Sequence, residues 1–95
     1  MLKTITKFGA QWCGPCRQFA HAFHRVKDME EFKNIDFNEV DIEEDENGEL
    51  LVEKYQIRSV PTTVLLDEND NLIYKVMGNI PEKDFITIIT EALKK

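Results

Sequence analysis

Residues 2–8 (LKTITKF) alternate in polarity and carry β-branched side chains, which predicts a strand. From Cys13 to about Phe32 the apolar residues Phe19, Phe23 and Val26 recur at i, i+4 and i+7, the stripe of a helix with one buried face. Residues 35–42 (IDFNEVDI) read as a second strand, and a short helix follows from roughly Gly48 to Tyr55. Acidic Glu43–Glu46 suits either the N-terminal end of that helix or a solvated loop. Two β-rich runs flanking the turn-forming Asp67–Asn71 predict a hairpin. The chain closes in a helix with Pro81 suited to its first turn and Phe85, Ile88, Ile89, Ala92 and Leu93 on its buried face. The predicted order is β-α-β-α-β-β-α. A helix between two strands favours a parallel pair with a right-handed crossover, and the hairpin adds antiparallel strands. The expected fold class is α/β, a four-stranded mixed sheet with three helices on its faces.

Composition narrows this only a little. Ninety-five residues suffice for one domain over 1–95, and no linker or repeat divides them. With 42% hydrophobic and 32% charged residues the chain is not of disordered type. A net charge of -6 argues against nucleic acid and anionic membrane surfaces as partners, because both repel it. Residues 1–8 carry neither a long apolar core nor a small-residue cleavage site, so no signal peptide is expected. No apolar run is long enough to span a bilayer. A cytoplasmic address is the expectation, and there a C-x-x-C pair reads as catalytic or metal-binding sooner than as a structural staple.

Both cysteines lie in QWCGPCR, residues 11–17. A disulfide between them closes almost no loop and restricts the unfolded chain very little. Cys13 falls where the first strand gives way to the first helix. Helix-terminal N–H groups and partial positive charge favour thiolate there. Pro15 fits the first turn because its missing N–H had no partner in any case. Cys13 is expected to be the exposed attacking thiol, and Cys16, one turn further in, the resolving one. His21 and His24 raise the question of zinc. Cys13 and His24 stand roughly 16 Å apart at about 1.5 Å per helical residue, whereas zinc ligands lie about 2 Å from one ion. No metal site is expected, and both histidines read as solvent-facing.

With these residues in view the sequence resembles the thioredoxin family over nearly its whole length. AQWCGPCR resembles the family's W-C-G-P-C active-site motif. FNEVDIEEDENGELLVEKYQIRSVPT resembles its following strand, helix and cis-proline loop, and VMG its site-closing glycine. The resemblance implies a minimal thioredoxin fold, because the chain starts where the family's second strand starts; one sheet face should then be less covered. It implies Cys13 as nucleophile and Cys16 as resolving thiol, within a motif completed by Trp12, Gly14 and Pro15. It further implies Trp12 as an apolar wall beside the sulfur and Pro61 as a cis residue leaving the backbone of Val60 free for a substrate strand. Gly78 would leave room for a partner backbone.

Departures from the family pattern matter as well. Lys7 stands where thioredoxins typically bury an Asp, and Glu39 where many bacterial members carry Lys. The two are expected to pair across neighbouring strands, with Glu39 relaying a proton to or from Cys16 and Lys7 stabilising thiolate; the alternative is a Lys7 that snorkels to solvent. Gly9 replaces an aromatic, and His21 replaces a helix-kinking proline.

The function implied is a thiol–disulfide oxidoreductase reducing protein disulfides by dithiol exchange. No bound cofactor is needed, since both electrons travel in the thiols. Its partners would be disulfide-containing proteins and a thioredoxin reductase or equivalent electron donor, and a monomer is the expected state. One alternative is a glutaredoxin-like, glutathione-dependent reductase, although Gly14-Pro15 and Gly78-Asn79 differ from that family's usual Pro-Tyr and Gly-Gly. Another is a non-catalytic partner module of the same fold.

Overall fold

In the computed structural model, which describes residues 1–95, strand β1 (Leu2–Gly9) lies inside a four-stranded sheet and is buried along most of its length. The remaining elements are α1 (Gly14–Lys27), β2 (Asp36–Asp41), α2 (Gly48–Lys54), β3 (Thr62–Asp67), β4 (Leu72–Met77) and α3 (Glu82–Ala92). Sheet order is β2-β1-β3-β4. β1 runs parallel to β2, with Lys7 opposite Glu39, and antiparallel to β3, with Lys7 opposite Thr63. This is the mixed sheet with three helices that the hydrophobic pattern predicts.

Period-two alternation sorts β1 onto two faces. Ile5 points toward α1 and α3, where it meets Phe19, Phe23, Phe37, Leu65, Phe85 and Ile89. The phenylalanines interlock, Phe19 edge-on to Phe85 at 5.2 Å and Phe23 edge-on to Phe37 at 5.5 Å between ring centroids. Such geometry adds to the apolar area these rings remove from water. Phe8 points to the opposite face, where Val64 and Leu66 pack beneath Leu51, Val52 and Tyr55 of the α2 region.

α2 leaves part of that second face open. A groove of about 400 Å³ runs beside α2, lined in part by Thr4, Thr6, Asn38, Val40 and Leu51. The strands adjust to this along their length. Thr4 and Thr6 precede Phe8 on one face of β1, and Asn38 precedes Val40 on β2. Apolar residues therefore sit under the helix and hydroxyl or amide groups sit where it ends. β2 forms one edge of the sheet and carries Asp36, Glu39 and Asp41, charges of the kind that discourage edge-to-edge pairing.

The first helix is shorter than the periodicity predicts. It ends at Lys27, Met29 is extended, and Glu30–Phe32 forms a separate 3-10 turn. At about 100° per residue a continuous helix would carry Phe32 roughly 220° away from Phe19. The break instead brings Phe32 into the core at 2% exposure. Pro81 likewise sits just outside α3, as its N-cap residue. On α3 Phe85, Ile89 and Ala92 are buried, whereas Ile88, and Leu93 just past its end, are only partly so. The hairpin turn is held by Asp67 Oδ1, which accepts the N–H groups of Asn69 and Asn71 at 2.9 Å each and keeps this carboxyl below its ordinary pKa.

Candidate active site

β1 delivers the chain from the sheet into a turn at Ala10–Trp12, and α1 starts immediately afterwards, so Cys13 becomes the helix N-cap. Pro15 occupies the first turn, where no intrahelical bond is lost. The backbone N–H of Cys16 donates to Cys13 Sγ at 3.1 Å. The cysteine sulfur thus takes the place a serine or aspartate oxygen commonly fills. A donor aimed at the sulfur and a helix N-terminus behind it both stabilise negative charge there.

Cys13 and Cys16 are joined by a disulfide. In this state both are 4% exposed, which corrects the expectation of an exposed Cys13. Ala10 packs with the pair and Ile42 and Val60 flank it, while the Val60 carbonyl oxygen lies 3.7 Å from Cys13 Sγ. The covering groups come from the loops after β2 and before β3, which local sequence at the motif does not reveal.

Trp12 is 64% exposed, with its indole N–H donating to Glu43 Oε1 at 2.9 Å. The Val60–Pro61 peptide is cis. The N–H of Gly78 donates to the Pro61 carbonyl at 2.7 Å, tying the end of β4 to this loop. Gly78 has φ +95, a conformation L side chains rarely adopt, and nothing lies within 4 Å of where a Cβ would stand.

Behind the disulfide a solvent-open cleft of about 200 Å³ runs between α1 and the sheet, lined by Gly9, Cys16, Arg17 and Ala20 and ending at Lys7 and Glu39. A Cβ on Gly9 would stand 3.4 Å from Cys16 Sγ, in van der Waals contact with it. The Lys7 side chain is 8% exposed, with its Nζ 3.1 Å from Glu39 Oε1 and 5.5 Å from the centroid of the Phe23 ring. Lys7 therefore lies under α1, on the face opposite the α2 groove, and does not reach solvent through the less covered side. The second carboxylate oxygen of Glu39 meets His24 Nε2 at 2.8 Å. Partial burial pushes the Glu39 pKa up, but hydrogen bonds and charge from His24 and Lys7 outweigh it, leaving the carboxyl below its ordinary value.

His24 is the residue the sequence reading misses. It is half-exposed, yet bonded to the group that holds Lys7, and so is not simply solvent-facing. The signal was present: Cys16, Ala20 and His24 follow at i, i+4 and i+8, one face of α1. His21 is exposed. No group of three or more His, Cys, Asp or Glu is placed to hold a metal ion, and no helix is long and apolar enough to cross a membrane.

A family model described as Thioredoxin matches residues 2–91. Thioredoxin Asp f 29 of Aspergillus fumigatus is 35% identical over 77 residues, covering 81% of this chain and 67% of that protein. The thioredoxin of Mycoplasmoides gallisepticum is 33% identical over 82 residues, covering 86% and 76%. The fold is similar to the crystal structure of Malassezia sympodialis thioredoxin, with a TM-score of 0.79 and 28% identity over 94% of this chain and 74% of that one.

Proposed function

The chain belongs to the thioredoxin family, whose redox-active pair it carries at Cys13 and Cys16, and on that premise we propose how this thiol–disulfide oxidoreductase works. Reduced Cys13, as thiolate, attacks one sulfur of a substrate disulfide and forms a mixed disulfide. Cys16 then attacks Cys13 Sγ, closing the Cys13–Cys16 bond and releasing the substrate as a dithiol. The observation that carries this assignment is the Cys16 N–H donated to Cys13 Sγ at the start of α1. It favours the anion on Cys13 and makes that residue the better nucleophile and leaving group.

Trp12, Val60 and Gly78 form the docking rim, and buried Pro61 holds the loop that presents Val60. An extended substrate segment pairs with the backbone of Val60, and the open space over Gly78 admits its main chain. Lys7 and Glu39 serve the resolving step. Glu39 takes up the proton that Cys16 must lose, through solvent in the cleft, while Lys7 stabilises the resulting thiolate. Disulfide-bearing proteins are the substrates, and a reductase or equivalent dithiol donor restores the reduced pair. The proposal also places the protein in the cytoplasm, where such a pair is kept reduced, and as a monomer.

Cys16→Ser tests this directly. Turnover on a protein disulfide should stop and the substrate should accumulate covalently bound to Cys13. A Cys16→Ser protein that still turned over would sink the assignment. The reduction potential of the wild type, read from Trp12 fluorescence in dithiothreitol buffers, should lie near the roughly -270 mV of thioredoxin; about -120 to -180 mV would instead mark an oxidant or isomerase.

A further inference from the structure

The proton released by Cys16 needs a destination, and Glu39 by itself is a poor one. Its carboxyl is held below its ordinary pKa by the hydrogen bonds of the His24 ring and the Lys7 ammonium, so the anion is the favoured form there. Imidazole as a class takes up a proton between pH 5 and 8, far closer to a thiol in basicity. The one imidazole at this site is His24, bonded to the Glu39 oxygen that Lys7 does not occupy.

We propose that His24 is the outer end of the proton path from Cys16, receiving through Glu39 the proton that must leave before the mixed disulfide can be resolved. The inference rests on the reading of Lys7 and Glu39 given above and extends it by one residue. The charged and titratable groups lining the cleft are Lys7 from β1, Glu39 and Asp41 from β2, and Cys16 and Arg17 from α1; His24 of α1 joins them through its bond to Glu39. Two of them are engaged elsewhere. Arg17 Nη1 donates to the Gln11 carbonyl at 2.7 Å. Asp41 Oδ1 accepts the N–H groups of Glu43 and Glu44 at 2.9 Å each. Lys7 is a donor only while charged. What remains is one chain of groups: Cys16, solvent in the cleft, Glu39 and His24, whose exposed ring hands the proton on to bulk water.

The step balances. The Cys16 thiol gives its proton to this chain, and the thiolate attacks Cys13 Sγ. The Cys13–Cys16 bond forms, and the bond from Cys13 to the substrate sulfur breaks with its electron pair leaving on the substrate thiolate. The protein pair is oxidised and the substrate disulfide reduced. His24 acts on Cys16 through Glu39 and is a positioning residue, since it touches neither sulfur.

The test separates the two chemical steps by stopped flow with reduced protein and excess 5,5′-dithiobis(2-nitrobenzoate). Attack by Cys13 scales with disulfide concentration, whereas resolution by Cys16 is a first-order phase releasing a second coloured thiolate. Wild type, His24→Gln and Glu39→Gln are compared from pH 5 to 9, with thermal unfolding confirming that each is folded. For the wild type the first-order rate should show an inflection within this range. Both variants should lose that inflection and resolve about tenfold more slowly at pH 7.5, less than a sequestered general base contributes because solvent enters the cleft. The double variant should be no slower than either single one, as for residues acting as a unit. If Glu39→Gln loses the inflection and His24→Gln keeps it, the His24 inference is overturned and the Lys7–Glu39 reading stands. If both keep it, both readings fall. Loss in His24→Gln alone would overturn the path through Glu39.

Discussion

Removing either partner of the Lys7–Glu39 pair should have unequal consequences, because the partners differ in burial. The Lys7 side chain is 8% exposed and that of Glu39 is 44% exposed. Glu39→Ala leaves an ammonium under α1 with no carboxylate beside it. Breaking a fully buried pair in this way costs about 3–5 kcal/mol. Here solvent reaches the pair from the Glu39 side, so the expected loss is about 2 kcal/mol. For a domain of this size that lowers Tm by about 10 °C, given roughly 4–8 °C per kcal/mol. Lys7→Leu instead removes the buried charge and lays an apolar side chain against Phe23. Glu39 keeps His24 and its exposure to solvent, so stability should stay within about 0.5 kcal/mol of wild type, since replacing a buried ion by an apolar group is often neutral.

Urea unfolding at pH 7 checks both variants, with unchanged m-values required for the comparison to hold. A Lys7→Leu protein as destabilised as Glu39→Ala would refute the reasoning, as would a Glu39→Ala loss below about 0.5 kcal/mol. The pH dependence gives a second check. The Glu39 carboxyl is held below its ordinary value of 4.5 in the folded chain. Its contribution is therefore complete above about pH 4.5. It declines as the pH falls, because the unfolded chain takes up the proton first, and it is gone below the folded pKa. The gap between wild type and Glu39→Ala should narrow below pH 4.5.

Phe23→Ala opens a cavity among Phe19, Phe37 and Phe85 and should cost about 3–5 kcal/mol in the same urea experiment. Gly78→Ala forces a side chain into positive φ and should cost about 1–2 kcal/mol. It should also lower kcat/KM for a protein disulfide more than for a small aromatic disulfide, which needs no main-chain docking; equal losses on both would argue against a backbone role for that rim. Glu43→Ala frees the Trp12 indole N–H. It should shift the Trp12 emission while moving stability by less than about 0.5 kcal/mol, since the contact is exposed.

The order of elements and the place of the chemistry can be read from short local stretches of the chain. Phe19, Phe23 and Val26 at helical spacing, alternation through residues 2–8 and turn residues between two β-rich runs are local patterns. Each element type follows from the backbone and from which face must leave water. Cys13 was legible for the same reason, because a strand-to-helix junction followed by Gly14-Pro15 sets its surroundings through its own neighbours. What those elements bring together depends on how they pack. The end of α1 at Lys27 depended on Phe32 finding a core that other segments build. The burial of Cys13 came from Ile42 and Val60, which lie 29 and 47 residues further along the chain. His24 looked like a surface residue because nothing in α1 itself needs it. Only the parallel register of β1 and β2, which sets Lys7 beside Glu39 beneath that helix, gives its imidazole a partner. Spacing along one element is written in its own residues, but a contact between elements depends on register and crossing, which the whole packed core sets at once.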